Sequence, residues 1–365
     1  MPSFQPLQPP LALHDTLFSP VFSACYNGQI HLFGAGETPN TGRRLVLDGE
    51  GQPAGIPFIL PDMLIEGVAA GSEGLLILNG QVAANRCTAH YFTLAGHQEW
   101  DCLVPVSRSS ARFIQPAFLE GSAVAVWAMV GGTTSHTPGA VREASGPASL
   151  AVAVLSAGSS EPAHNFPLKG SVTALSLTST PAGLLAACDP RGRLELIHLT
   201  AKQIIWHIQV EGVQTPISPS VAICNEQICL AWITGETLFI QWFDLTGQAI
   251  SAPQQLAAAP QRARLLSTCL IPNNNGALAI AYIQETTTDE WNMLEGEFGR
   301  RHRFLPKLNY EEFICALQPG TTSSGPWLTI TPPGLPYHTG CWLQDTLYLL
   351  HGEQVPVFSH LKLES

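Results

Sequence analysis

Lysine is scarce in this sequence, with four in 365 residues, and charged side chains of every kind make up only 12%. That is about half the usual quarter, and the balance is acidic, at −11. Binding to a phosphate backbone needs clustered Lys and Arg, so nucleic acid is not an expected partner. Long apolar runs are missing too. The run from Ala123 to Val130 is eight residues, against the roughly 20 that cross a bilayer as a helix, so no membrane association is predicted. No Lys or Arg precedes Arg43, and four prolines stand in the first ten residues. A secretory leader needs a basic start and a helical apolar core, so the reading is a soluble, cytoplasmic protein.

Catalytic signatures are also lacking. There is no Gly-x-Ser-x-Gly elbow, Walker loop, His-Glu-x-x-His or Gly-x-Gly-x-x-Gly. Gly34-Ala35-Gly36 and Gly49-Glu50-Gly51 do not open helices and read as hairpin turns. The twelve histidines never pair at metal-ligand spacing, and His31 and His198 alternate with apolar neighbours as partly buried strand residues do. The nine cysteines are odd in number, irregularly spaced and form no Cys-x-x-Cys. They read as small hydrophobes in a reducing compartment. No catalytic residue, cofactor or metal is predicted.

What the chain does have is turns and apolar strands. Gly 32 and Pro 29 together approach 17%, beside an apolar share of 45% that excludes disorder. The chain also repeats itself. Ser19-Pro20-Val21-Phe22-Ser23-Ala24-Cys25-Tyr26-Asn27-Gly28-Gln29-Ile30 recurs, with one residue of slippage, as Ser218-Pro219-Ser220-Val221-Ala222-Ile223-Cys224-Asn225-Glu226-Gln227-Ile228. Each copy is followed by a strand and an acidic-glycine turn, Asp48-Gly49-Glu50-Gly51-Gln52 and Asp244-Leu245-Thr246-Gly247-Gln248. Asp can hydrogen-bond its own turn and Gly takes positive φ, which is hairpin chemistry.

Looser copies give seven strand starts: Ile30, Leu75, Val124, Leu184, Ile228, Leu278 and Leu347, spaced 45, 49, 60, 44, 50 and 69 residues apart. The shorter steps suit four-stranded blades. Several of these strands finish on an aromatic (Phe33, Trp127, Trp232, Tyr282, Tyr348), as packing between neighbouring blades requires. The pattern resembles a β-propeller of the broad WD40-like or quinoprotein-like type, although the recurring Gly-His and Trp-Asp dipeptides of WD40 blades and the kelch double glycine are missing. The resemblance implies an all-β fold over 1–365, most simply seven four-stranded antiparallel blades in one domain. The N- and C-terminal segments should close the ring, with Val355 to Leu363 completing the sheet begun near Phe18 to Ala24.

Two insertions stand out. Residues 131–147 are polar and aperiodic and lean to disorder. The other lies within 299–338. Just before it an acidic cluster, Asp289 to Glu297, reads as a solvated hairpin tip, and the insertion opens with Arg300, Arg301, Arg303 and Lys307. Then comes a predicted short helix from Asn309 to Gln318, with Asn309 and Glu312 as a capping box and Phe313 and Leu317 on one face. A ring does not need these features. The sequence therefore points first to a non-catalytic scaffold in a cytoplasmic complex, with Arg300, Arg301, Arg303, Lys307 and Phe313 contacting other proteins. The alternatives are an enzyme (hydrolase, lyase or isomerase) with a site in the axial channel, possibly metal-dependent, and a lectin-like propeller.

Overall fold

The computed structural model describes residues 2–7, 11–12, 18–26, 28–36, 41–50, 52–54, 58–60, 64–72, 74–81, 86–93, 97–106, 111–129, 148–170, 172–180, 182–273, 275–294, 303–320, 325–330, 338–351 and 357–364. These form seven antiparallel sheets, numbered here as blades in chain order: 18–60, 65–103, 111–168, 175–209, 216–258, 263–330, and 338–364 joined by 3–6 and 11–12. The innermost strands are Phe18–Tyr26, Ile65–Ala70, Ala111–Leu119, Leu175–Thr180, Pro216–Cys224, Ala263–Pro272 and His338–Leu343. Each touches the next, and the seventh returns to the first, which closes a ring. Among the described residues no helix is long and apolar enough to cross a membrane.

The apolar runs follow from this geometry. A strand in the middle of a blade is covered on both faces, so it need not alternate with polar residues. Successive side chains point to opposite faces, and here the two faces meet different neighbours. In Ser122–Met129, Ala123, Ala125 and Trp127 pack against blade two, while Val124, Val126 and Ala128 pack against blade four. In Gln227–Thr234, Ile228, Leu230 and Trp232 meet blade four, and Cys229, Ala231 and Ile233 meet blade six. The core is accordingly divided into seven apolar clusters, one between each pair of adjacent blades. All nine cysteines lie in these clusters as free thiols.

All seven predicted strand starts fall on the second strand of a blade. The two acidic-glycine turns are the same structure. Asp48 Oδ1 accepts from Glu50 N (3.0 Å) and Gln52 N (2.8 Å), and Asp244 Oδ1 from Thr246 N and Gln248 N (both 2.9 Å). Asp48 N and Asp244 N in turn donate to the carbonyls of Gln52 and Gln248, both at 2.9 Å. A second device recurs where the chain turns into an innermost strand. Asn79 Oδ1 accepts from Leu64 N (2.8 Å). The buried Asp189 does the same for Thr173 N and Ala174 N (both 2.8 Å), and its other oxygen takes the Thr173 hydroxyl.

Two expectations are corrected. Asn309 to Gln318 is not a helix: it belongs to the strand Arg303–Leu317, paired along its length with Leu278–Leu294. Phe313 and Leu317 satisfy helical spacing, but Phe313, Cys315 and Leu317 also alternate with Glu312, Ile314 and Ala316. The strand uses that period of two, packing the first set against blade five and Ile314 and Ala316 against blade seven. The one helical turn among the described residues is the 3₁₀ turn Pro190–Gly192.

Ring closure also differs in detail. Val357–Glu364 pairs with Thr346–His351 on one side and with Ser3–Pro6 and Leu11–Ala12 on the other. Phe18–Tyr26 instead starts blade one, with its ladder taken by Gln29–Ala35. Proline-bearing Ser3–Pro6 suits the outer edge, where a missing N–H breaks no central ladder, and buried Phe4 anchors it against Trp342 with ring centroids 5.8 Å apart.

Candidate functional site

Two places in the ring have the shape of a site. The first is the axial channel, about 750 Å³, to which all seven innermost strands contribute. In five blades the innermost strand loses register with its partner near its start: between Phe18 and Phe22, Ile65 and Gly67, Arg112 and Gln115, Ile217 and Ser220, and Leu265 and Ser267. Such bulges bend a strand and re-aim its side chains. Phe113 (φ 53°) and Ser218 (φ 49°) take the left-handed backbone there, and Phe113 lines the channel although it remains exposed. The repeated Ser-Pro of blades one and five sits in these irregularities, where proline's missing donor is tolerated.

The hydroxyls and amides of the channel mostly join one blade to the next. Gln115 Nε2 donates to Leu175 O (2.8 Å), and Ser179 Oγ to Phe118 O (2.8 Å). Ser176 Oγ accepts from Val221 N (3.1 Å), Ser218 Oγ from Thr268 N (3.0 Å) and Ser220 Oγ from Leu270 N (2.9 Å). Ser23 and Thr339 close the series with hydroxyls 3.2 Å apart. Among the described lining residues Glu66 carries the only charge. No group of three or more His, Cys, Asp or Glu that could hold a metal occurs among the described residues.

The second place is blade six. Its two central strands are 17 and 15 residues long, whereas Gln227–Thr234 and Thr237–Asp244 in blade five have eight each. Pairing runs from Leu278 opposite Leu317 to Thr287 opposite Leu308, shifts, and resumes from Trp291 opposite Pro306 to Leu294 opposite Arg303. The innermost strand reaches only to Thr286, and the outermost, Leu328–Ile330, pairs only with 312–314. The distal pairs therefore form a two-stranded arm beyond the four-stranded sheet. Its charges are matched: Arg262 Nη1 to Asp289 Oδ1 at 2.5 Å and Lys307 Nζ to Glu290 Oε2 at 2.8 Å. The Lys307 ammonium, hydrogen-bonded to Glu290, holds that carboxyl below its ordinary value.

The predicted contact residues separate into three groups. Arg300 and Arg301 lie outside the described residues, as do residues 295–297 of the acidic cluster and the insertion 131–147. Arg303 begins the returning strand of the arm, and exposed Lys307 lies four residues along it. Phe313 is apart from them, in the packing between blades five and six, stacked on Tyr282 with centroids 4.9 Å apart and planes 13° from parallel. The channel residues Glu66, Phe113 and Gln115 were not anticipated. Pro116 inside an apolar run was the available signal for the bulge that presents Phe113 and Gln115, whereas the strand that presents Glu66 contains no proline.

No protein-family profile and no curated protein matches the sequence. By shape the chain is similar to the β-propeller domain of Myceliophteria thermophila Cps50 (Swd1), at 10% identity and a TM-score of 0.60, over 99% of this chain and 100% of that one. It is also similar to BBS1N solved in complex with ARL6DN, at 11% and 0.51 over 99% and 95%. A post-proline cleaving enzyme from Rickettsia typhi matches at 9% and 0.51, over 94% of this chain and 52% of the enzyme. At such identities the likeness establishes the β-propeller fold alone.

Proposed function

We propose that the chain works as one propeller domain and as a non-catalytic scaffold for partner proteins, with the arm of blade six as its docking element. The observation that carries this reading is the arm itself: paired strands that continue past the edge of the sheet contribute nothing to the blade that bears them. Arg303 and Lys307 lie on the returning strand of the arm, and in sequence Arg300 and Arg301 immediately precede that strand, so four of the chain's seventeen Lys and Arg fall within eight positions on a protein of net charge −11. Over 288–308 these four are balanced by Asp289, Glu290, Glu295 and Glu297, and a segment carrying both signs on an otherwise acidic chain suits a partner surface of complementary charge pattern. BBS1N was captured with ARL6DN bound, so a propeller of this outline can carry a protein. Nine free thiols suit a reducing compartment, which supports a cytoplasmic setting.

The test is a triple charge reversal, Arg300→Glu with Arg301→Glu and Arg303→Glu, compared with the unmodified protein in tagged purification from its native cells. A stoichiometric partner should co-purify with the parent and fall at least about tenfold with the variant, while the thermal midpoint stays put. Undiminished capture, or a collapsed midpoint, would refute the assignment.

A further inference from the structure

We propose that Cys25 and Cys341 form a redox-reactive dithiol at the seam between the last and first blades, which a hydroperoxide converts to a disulfide joining the two innermost strands. This rests on the ring and is independent of the arm.

The first argument is register. Phe18–Tyr26 and His338–Leu343 lie side by side, with the Ser23 and Thr339 hydroxyls 3.2 Å apart. Innermost strands of adjacent blades keep step: Ser218 meets Thr268, and two residues on Ser220 meets Leu270. Two residues beyond Ser23 and Thr339, on the same faces, stand Cys25 and Cys341. Both thiols pack into one cluster with Ile30, Leu32, Tyr348 and Leu350.

The second argument is reactivity. Six of the nine thiols are buried and three are half-buried, Cys25, Cys341 and Cys269; Cys269 lies in a different cluster, between blades six and seven, with no second cysteine beside it. Cys25 alone is held below its ordinary value, because the Cys341 thiol hydrogen-bonds its sulfur. The other eight are pushed up: Cys341 chiefly by that same bond, the rest chiefly by burial. Thiolate character and access select the cysteine that peroxide attacks. The Cys25 thiolate attacks one peroxide oxygen, S–O forms as O–O breaks, and the leaving hydroxide takes up the proton that Cys25 released on ionising, giving a sulfenic acid and water. The Cys341 sulfur then attacks Cys25, S–S forms as S–O breaks, and the departing hydroxide takes the Cys341 proton. Two thiols lose two electrons and two protons, and one peroxide becomes two waters.

The experiment treats purified full-length protein with hydrogen peroxide, blocks remaining thiols after denaturation and maps peptides without reduction. The expected result is a Cys25–Cys341 cross-linked peptide while Cys87, Cys102, Cys224 and Cys229 stay alkylatable. A bond spanning nearly the whole chain should raise the thermal midpoint by about 3–6 °C, reversibly with dithiothreitol. Cys25→Ser should show neither effect. Oxidation confined to other cysteines, sulfenic acid at Cys25 with Cys341 still free, or a cross-link without a thermal shift would each overturn the proposal.

Discussion

Replacing Asp189 by alanine should loosen blade four where its chain reaches the channel. Asp189 is 2% exposed, and its carboxylate accepts two backbone amides and one hydroxyl from Thr173 and Ala174. Hydrogen bonds to a charged group contribute about 1.5–3 kcal/mol each. Thr173 is exposed and Ala174 half-buried, so water takes back part of what Asp189→Ala removes, and the net loss should be about 3 kcal/mol. Asp189→Asn keeps an oxygen for both amides and gives up the charge and the oxygen that takes the hydroxyl, so about 1 kcal/mol is expected. Urea midpoints at constant slope give the two differences. Hydrogen exchange supplies the local readout, with faster exchange at Thr173, Ala174 and the strand Leu175–Thr180. Asparagine as damaging as alanine, or an alanine variant within about 0.5 kcal/mol of the parent, would refute the account.

Three other outcomes follow from the packing and the buried imidazoles. Phe313→Ala should lower the thermal midpoint, because Phe313 stacks on Tyr282 between blades, by about 3 kcal/mol of stability; exposed Lys307→Glu should leave it within experimental error. Gly247→Ala should cost about 1–2 kcal/mol in a urea titration, since Gly247 has φ +86° and a methyl there meets the Trp206 ring at 3.0 Å. Burial holds His90, His198 and His360 below their ordinary value of 6.5, so they stay neutral in the fold where the unfolded chain already binds protons. Stability should therefore be level above about pH 7 and fall as pH drops through 6.5, and thermal midpoints that rise on acidification would contradict this.

The blades were legible because each carries a local signal. A polar turn leading into an unbroken apolar strand is dictated by a strand covered on both faces, and it marked all seven second strands. The Asp48 and Asp244 turns were legible because the hydrogen bonds close within five residues. Where two periods fit the same residues, as in 309–318, local preference pointed to a helix and the long partner strand decided otherwise. The innermost bulges, the duty of Asp189 and the pairing of Ser3–Pro6 with Val357–Glu364 depend on contacts across blades or across the chain. Spacing along one segment holds no record of those. The arm was half legible: its charges were visible, but its length was hidden by the misread helix.

The stitching of blade seven from both ends has a consequence for synthesis. During translation blades one to six can stack in order as they emerge, each covering the exposed face of the one before it. The outer face of blade one, with Ile30, Leu32, Leu45 and Leu47, must wait for Tyr348 and Leu350, and Ser3–Pro6 must wait for residues 361–364. The first blade made is thus the last to be sheltered, and a nascent chain carries that uncovered apolar face for nearly the whole time it is on the ribosome.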